Sequence, residues 1–302
     1  MLLFVDGCLI AFGWPFAFYC LYLHCHTNSE YEYMNLSQYL SDIPQEFHAL
    51  MSAAFAMAQS AGDIHMRYFR NRNLEQSTKL NDSDVVTIAD KESEASILQF
   101  IHEHFPEHGV IAEESGRDHS DREWRWVIDP LDGTTNFAAG LPAFSVSIAL
   151  ERNGEAVLGV VYAPYLGECF YAVKGGGAWL NGNSIRCSDK EELSKAVVAT
   201  GMPYDRNDNP DNNLAEICRM ALCVRGIRRM GSAAIDLCYT AAGFFDAYWE
   251  LNLNRWDVSA GQLIAVEAGV VIESIRGDRK HSILASNPRL YQSVRQVLLS
   301  GK

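Results

Sequence analysis

The chain has 302 residues, enough for one large domain or two joined halves, and its composition of 48% hydrophobic and 21% charged residues indicates a folded globular protein. The formal net charge of −13 argues against a general nucleic-acid-binding protein, because such a protein needs a basic surface to neutralise phosphates. An anionic substrate would therefore require local basic side chains or a bound metal ion.

The first 33 residues differ in composition from the rest of the chain. They are apolar and aromatic and contain no lysine or arginine, whereas a signal peptide begins with basic residues. Their uncharged run, residues 7–23, falls short of the roughly 20 apolar residues that span a bilayer. Cys20, His24, Cys25 and His26 follow no standard metal-binding spacing. We interpret residues 1–33 as an upstream extension of the reading frame, with Met34 as the natural start; a membrane-associated anchor is the alternative.

Cysteine usage favours a reducing compartment. The chain has eight cysteines, and none forms a C-x-x-C pair, so neither a zinc ribbon nor a thioredoxin-type motif is predicted. The five in the main body have mostly apolar neighbours, which indicates reduced, mostly buried thiols in a cytoplasmic protein. These five are Cys169, Cys187, Cys218, Cys223 and Cys238.

Residues 34–190 are predicted to be rich in antiparallel strands. Apolar spacing predicts a long amphipathic helix at residues 54–69, and a second helix is predicted at residues 90–105. Short strands follow, and the strand that begins at Phe144 turns at Asn153-Gly154 into a second strand, as in a β-hairpin. Beyond a boundary near residues 190–194, strands and helices alternate. Residues 191–302 are therefore predicted to form an α/β half, with helices layered over sheets.

The stretch WVIDPLDGTTNF, residues 126–137, places two carboxylates just after an apolar strand. We expect Asp129 to end that strand, because Pro130 cannot continue the hydrogen-bond ladder, and Asp132 to face the same point. The residues Thr134-Thr135-Asn136 are predicted to begin a helix whose free N–H groups favour an anion. Carboxylates and carbonyls suit Mg²⁺, whereas no nearby histidine or cysteine favours zinc. The alternative is that the two acids only cap a turn.

Other acids stand at similar positions along the chain. Glu113 and Glu114 follow the apolar strand GVIA, and Asp257 follows Trp256 at a predicted helix start. Each alone could be a cap or a solvated charge. Together they supply several acids at the ends of strands or helices, where α/β sheets assemble their binding sites.

These motifs resemble those of the inositol monophosphatase family of Mg²⁺-dependent, lithium-sensitive phosphatases. The resemblance covers the chain from about Met34 to its end, with Val270 as a departure where the family usually has a second glycine. It implies a layered α-β-α-β-α sandwich, the inositol monophosphatase/fructose-1,6-bisphosphatase-like fold, in which residues 34–190 carry most metal ligands and residues 191–302 complete the site. The matching segments are AEESG (112–116), WVIDPLDGTTNF (126–137), WDVSAGQLIAVEAG (256–269), STKLNDSDVVTIADKE (77–92) and GIRRMGSAAIDLC (226–238).

The resemblance also implies a role for individual residues. Two or three Mg²⁺ ions would be held by Glu113, Asp129, the Leu131 carbonyl, Asp132 and Asp257. Substrate would be bound by Gly133, Thr134, Ala233, Glu250 and Asp257. Glu113 and Thr134 would orient the attacking water, with support from Asp90, and Glu114 would either support the site or lie on the surface as a plain carboxylate. The four metal-binding carboxylates would repel one another strongly without cations.

The expected function is that of a phosphomonoesterase for a small polyol phosphate, above all myo-inositol 1-phosphate, by direct in-line attack of water. The enzymatic alternatives are phosphatases for histidinol phosphate, fructose 1,6-bisphosphate or 3′-phosphoadenosine nucleotides. A further alternative is a catalytically slow, protein-binding regulator whose contact face includes Arg225, Arg228 and Arg229. The resemblance implies a homodimer, and we expect no direct nucleic-acid binding and no membrane association of the core domain.

Overall fold

The computed structural model describes residues 2–5, 8–11, 39–71, 76–78, 85–116 and 122–300. Its contacts divide the chain into two compact units, residues 1–35 and residues 36–302. In the first unit, β1 (Leu2–Val5) pairs antiparallel with β2 (Cys8–Ala11). The histidines and the nearby cysteines of the N-terminal segment, at residues 20–26, lie outside the described residues.

The second unit holds all the remaining described elements, in two groups. The first group is a 3-10 turn at Gln45–Phe47, α1 (His48–Tyr68), β3 (Gln76–Thr78), β4 (Val85–Thr87), α2 (Ile88–His104), β5 (Gly109–Ala112), β6 (Trp124–Asp132), α3 (Thr134–Ala138), β7 (Ser145–Arg152), β8 (Glu155–Ala163), β9 (Glu168–Val173), β10 (Gly177–Leu180) and β11 (Asn183–Ser184). The second group is a 3-10 turn at Leu193–Lys195, β12 (Val197–Thr200), α4 (Leu214–Ala221), β13 (Gly226–Arg228), α5 (Ala233–Ala241), β14 (Ala247–Leu253), α6 (Arg255–Glu267), β15 (Val271–Ser274), β16 (His281–Ser286) and α7 (Tyr291–Leu299).

Two large sheets dominate the second unit. The first has seven strands in the order β11-β10-β9-β8-β7-β6-β5, antiparallel except for the parallel β5–β6 pair. The second has five strands in the order β13-β12-β14-β16-β15, in which β12 runs parallel to both of its neighbours. Helices α1 and α2 pack on the seven-stranded sheet, α5 and α6 lie between the sheets, and α4 and α7 cover the five-stranded sheet. This layered α+β arrangement confirms the predicted fold class.

Local signals in the sequence account for several elements. The predicted hairpin turn is confirmed, because Asn153 and Gly154 have positive φ angles of 51° and 84° between β7 and β8. Helices α1 and α2 cover the two segments in which helices are predicted. The cysteines within residues 39–300 are all free thiols. Within the described part of the chain, none of the helices combines the length and apolar character that crossing a membrane requires.

The prediction that Asp129 ends its strand is wrong. β6 continues to Asp132, and its register against β7 shifts, with Asp129 opposite Ser147 and Asp132 opposite Ser145. Three residues on β6 therefore advance as far as two on β7, which defines a β-bulge. Pro130 lacks the N–H that a regular ladder needs at this point, and the bulge accommodates it while turning the two carboxylates.

A buried ion-pair network joins the seven-stranded sheet to α6. Glu151 in β7 is 2% exposed and accepts from Arg125 in β6 at 2.9 Å and from Arg255 in α6 at 2.7 Å. Because Arg255 is the first residue of α6, this network fixes the start of the helix that carries Asp257.

Candidate active site

One pocket brings together all of the predicted site residues except Asp90. It opens where β5 and β6 end and where α5 and α6 begin, with β14 forming part of its wall. The predicted residues that line it are Glu113, Asp129, Leu131, Asp132, Gly133, Thr134, Ala233, Glu250 and Asp257. Asp90 is fully buried beside this pocket and contacts Thr134.

The parallel pairing of β5 with β6 brings Glu113 next to Asp129. Ala112 pairs with Ile128, so the residues that follow lie side by side, Glu113 just after the end of β5 and Asp129 within β6. Asp129 is 2% exposed, and its Oδ1 accepts from the Leu131 N–H at 3.0 Å within the bulge. Burial raises the pKa of Asp129 well above its ordinary value, and the charges of Glu113 and the other site acids raise it further.

Asp132 is held at the N-terminus of α5. Its Oδ2 accepts from the Ser232 hydroxyl at 2.6 Å and from the Ala234 N–H at 2.7 Å. Ser232 is also the N-cap of α5 and accepts from the Ile235 N–H. Burial raises the pKa of Asp132 to about 6, although these hydrogen bonds favour the charged form and oppose the increase.

Asp257 occupies the third position of α6 and forms a capping box with Asn254. Its Oδ2 accepts from the Asn254 N–H at 2.6 Å, which holds the carboxylate at the helix N-terminus. Burial raises the pKa of Asp257 well above its ordinary value, with further contributions from the charges of Glu113 and Asp132. The acids of both halves of the chain therefore affect one another in a single pocket.

Asp90 combines a capping role with a contact to the site. Its Oδ2 accepts from the N–H and the hydroxyl of Thr87, the N-cap of α2, at 2.7 and 2.6 Å. The Thr134 hydroxyl lies 2.9 Å from Asp90 Oδ1 and 3.0 Å from the Leu131 carbonyl oxygen. Burial raises the pKa of Asp90 to about 7, and the charge of Glu114 adds to this increase.

Gly133 must be a glycine in this structure. Its φ of 90° is unfavourable for residues with a side chain, and an added Cβ would lie 2.8 Å from the Ala143 carbonyl oxygen and 3.2 Å from that of Gly231. Gly133 precedes α3, so the first N–H groups of this short helix lie beside the pocket.

Glu250 lies on the opposite wall, in the middle of β14. Its Oε2 accepts from the Tyr248 hydroxyl at 2.7 Å. Burial raises the pKa of Glu250 to about 7, although the Tyr248 hydrogen bond and the positive charge of Arg229 oppose this increase. The small side chain of Ala233 leaves room at the start of α5.

The donor set fits hard divalent cations. Glu113, Asp129, Asp132 and Asp257 offer only oxygen atoms, which Mg²⁺ prefers, and the mutual repulsion of their charges would be relieved by cations. Within the described ranges, no three histidine, cysteine or acidic side chains already converge as a group that could hold a metal ion. The fit therefore rests on the chemistry and charge of the donors.

Sequence reasoning did not identify several residues of the pocket. Ser232 orients Asp132, and the Ser-Ala-Ala start of a helix is a recognisable N-cap signal. Gly201 lines the pocket without any local motif that predicts it, and Arg229, expected as part of a protein contact face, also lines the pocket. Glu114 is not among the lining residues; its N–H donates to Glu94 Oε2 at 2.8 Å.

Comparison with known proteins identifies the family. A sequence profile of the inositol monophosphatase family matches residues 47–300. Nus factor SuhB of Vibrio cholerae is 40% identical over 254 residues, 82% of this chain and 95% of that protein. The crystal structure of SuhB from Bartonella henselae has a TM-score of 0.78 at 38% identity, covering 84% of this chain and 100% of that one. Inositol monophosphatase from Anabaena gives 0.75 at 39% identity, covering 84% and 97%. The chain belongs to the inositol monophosphatase family.

Proposed function

We propose that the protein is a Mg²⁺-dependent phosphomonoesterase that hydrolyses myo-inositol 1-phosphate or a closely similar polyol phosphate. Family membership supports phosphatase chemistry. The observation that carries the proposal is that four acids from three parts of the chain, Glu113 after β5, Asp129 and Asp132 in β6 and Asp257 in α6, line one pocket that also contains Thr134 and Glu250. Burial and mutual repulsion destabilise these carboxylates in their charged form. A function that requires bound cations and a phosphate ester explains why the pocket contains them.

Glu113, Asp129, Asp132, Asp257 and the Leu131 carbonyl are the groups that would hold the Mg²⁺ ions. When bound, such ions neutralise the carboxylates, lower the pKa of a nucleophilic water and stabilise the oxygen of the leaving group. By holding the ions, the same residues would help to orient the attacking water and the ester.

Groups of the chain itself would bind the phosphate and take up the proton. The N–H groups of Gly133 and Thr134, beside the pocket at the start of α3, would donate to phosphate oxygens. Thr134 can donate its hydroxyl proton to Asp90 Oδ1, so its lone pairs can accept a hydrogen bond from the attacking water. Asp90 can hold a proton near neutral pH, since its pKa is about 7. Water oxygen would bond to phosphorus as the ester P–O bond breaks; the water proton would pass through Thr134 to Asp90, and the polyol would leave as an alcohol after its oxygen takes a proton from solvent.

Glu250 and Ala233 would set the preference for a polyol. A carboxylate accepts hydrogen bonds from substrate hydroxyls, and the alanine leaves room for a ring opposite it. Histidinol phosphate, fructose 1,6-bisphosphate and 3′-phosphoadenosine nucleotides are the alternative substrates of this proposal.

Phosphate release from a panel of phosphate esters, with and without Mg²⁺, tests the proposal. The panel contains myo-inositol 1-phosphate, the alternative substrates and p-nitrophenyl phosphate. We expect release only with Mg²⁺ and the highest kcat/KM for the inositol phosphate. Phosphate release that is unchanged by a chelator would contradict the role of the acids in binding Mg²⁺. A higher kcat/KM for another ester would make that ester, rather than the inositol phosphate, the assigned substrate.

A second candidate function is that of a regulator that binds another protein. The observation that favours it is the name Nus factor SuhB, which several relatives carry at 36–40% identity. The exposed residues Arg225, Arg228 and Arg229 would belong to its contact face. Replacing Arg225 and Arg228 with alanine should then abolish partner capture while phosphate release persists. We further propose that the protein is a homodimer located in the cytoplasm. The free thiols support the location, and the family resemblance supports the dimer.

A further inference from the structure

Gly201 and Glu250 both line the pocket, and the carboxylate of Glu250 lies directly against Gly201. Gly201 directly follows β12, and a Cβ built on it would overlap with the Cδ and both carboxylate oxygens of Glu250. Its φ lies outside the left-handed region, so the backbone conformation itself would accept any residue. The atoms nearest to an added Cβ all belong to Glu250, so whether a larger residue fits at this position depends on whether the Glu250 side chain can move.

Glu250 has little freedom to move away from Gly201. It lies within β14 and pairs with Ile283 of β16, which fixes its backbone. Its carboxylate is held by the Tyr248 hydroxyl at 2.7 Å. A methyl group at position 201 would have to displace the carboxylate and break this hydrogen bond.

Gly201 is equally fixed, through a buried hydrogen-bond network centred on Asn213. Asn213 Nδ2 donates to the Gly201 carbonyl at 2.6 Å and lies 2.8 Å from Thr200 Oγ1. Its Oδ1 accepts from Trp249 Nε1 at 2.6 Å, and Trp249 neighbours Glu250 in β14. One asparagine therefore links the backbone of Gly201 to the strand that carries Glu250.

We propose that Gly201 is a specificity-determining position, because its missing side chain lets the Glu250 carboxylate stand at the pocket wall where substrate hydroxyls arrive. The Asn213 network keeps the glycine in register with Glu250 and so acts as its positioning support. The inference rests on the proposed function, in which Glu250 recognises a polyol. It adds that the polyol preference depends on position 201 as much as on the acid itself.

The test compares Gly201→Ala with Glu250→Gln on two substrates, myo-inositol 1-phosphate and p-nitrophenyl phosphate. A lost hydrogen bond to a charged group corresponds to about ten- to a hundredfold in kcat/KM. We expect both variants to lower the ratio of the two kcat/KM values, inositol phosphate over p-nitrophenyl phosphate, by about this factor. Gly277→Ala is the matched control, since a Cβ there has nothing within 4 Å, and it should leave the ratio unchanged.

The outcomes separate the inference from the proposed function. A normal ratio in Gly201→Ala together with a lowered ratio in Glu250→Gln would overturn the inference and keep the polyol assignment. A normal ratio in Glu250→Gln would remove the polyol assignment itself. In the double variant with both changes, the ratio should be no lower than in the more affected single variant, because both changes disable the same carboxylate.

A stability cycle tests the steric contact even if Gly201→Ala folds poorly. Removing the carboxylate with Glu250→Ala makes room for the methyl group, so the loss of Tm caused by Gly201→Ala should be smaller in the Glu250→Ala background than in the wild type. Equal losses in the two backgrounds would show that the alanine clashes elsewhere and would refute the inference.

Discussion

Replacing Asp132 with asparagine removes one of the four acidic charges that line the pocket while keeping most of the contacts of this side chain. An asparagine oxygen can still accept from the Ser232 hydroxyl and the Ala234 N–H, so the start of α5 should persist. The variant should lose activity by orders of magnitude, because it lacks a carboxylate proposed to hold Mg²⁺. Without cations, however, the same change should make the folded protein more stable.

The size of this gain follows from the pKa of Asp132, which rises from 3.8 to about 6 on folding. One pKa unit corresponds to about 1.4 kcal/mol, which gives an upper limit of about 3 kcal/mol in the free energy of unfolding. Because Asp132 is only half-buried, solvent screens part of this penalty, and we expect a gain of about 1–3 kcal/mol. An acid whose pKa is raised on folding destabilises the folded state progressively as the pH increases from the pKa in the unfolded protein to the pKa in the folded protein. The gain should therefore be absent below pH 3.8, grow towards pH 6 and stay constant above it.

Urea unfolding of wild type and Asp132→Asn, in EDTA and in Mg²⁺, measures both effects. In EDTA above pH 6 the variant should be the more stable protein, whereas Mg²⁺ should stabilise mainly the wild type. Asp208→Asn is a matched control at an exposed position. It should change neither the stability in EDTA nor the stabilisation by Mg²⁺. A variant that is less stable than wild type in EDTA, or a gain that does not depend on pH, would refute this account of the acids.

Four further predictions concern stability and inhibition. Glu151→Ala removes the buried carboxylate that pairs with Arg125 and Arg255 and should cost about 3–5 kcal/mol in urea unfolding; a loss too small to measure would contradict the ion-pair account. Asn213→Ala leaves the Trp249 N–H unpaired and should cost about 1–3 kcal/mol, unlike a change at an exposed asparagine. A protein starting at Met34 should match the full chain in Tm and kcat, and a lower value of either would show that residues 1–33 contribute. Lithium should inhibit phosphate release, with sodium as the control; equal effects of the two ions would argue against the family's lithium sensitivity.

Much of the fold could be predicted from local signals in the sequence. The apolar spacing of α1 and the Asn153-Gly154 turn are patterns of one segment, and each determines its own structure. The residue at which β6 ends could not be predicted from the pattern of its own segment. Pro130 normally stops a strand, but β6 continues past the proline as a bulge because Asp132 still pairs with Ser145 of β7. That outcome depends on partners distant in sequence.

The residues of the candidate site likewise fall into those that one segment of sequence predicts and those that depend on contacts distant in sequence. Acids at strand and helix ends, such as Asp132 at the end of β6 and Asp257 at the start of α6, could be predicted because motifs and capping positions place them there. Gly201 could not, since its importance comes from a contact with Glu250 across two strands. Nothing in a run of residues distinguishes a glycine that makes room for a distant carboxylate from one in an ordinary loop.

The site acids also serve as helix caps, which explains how a folded chain tolerates them. Asp90 and Asp257 each accept from the N-cap residue of their own helix, and Asp132 accepts from the first turn of α5. The N-terminus of a helix carries partial positive charge and stabilises a nearby carboxylate by about 0.3–1 kcal/mol. The starts of α5 and α6 thus offset part of the repulsion in the pocket before any cation binds, and the start of α2 holds Asp90 beside it. Since the caps form as the helices form, folding alone positions these carboxylates, and we infer that cations complete a site whose directions are already set by α2, α5 and α6.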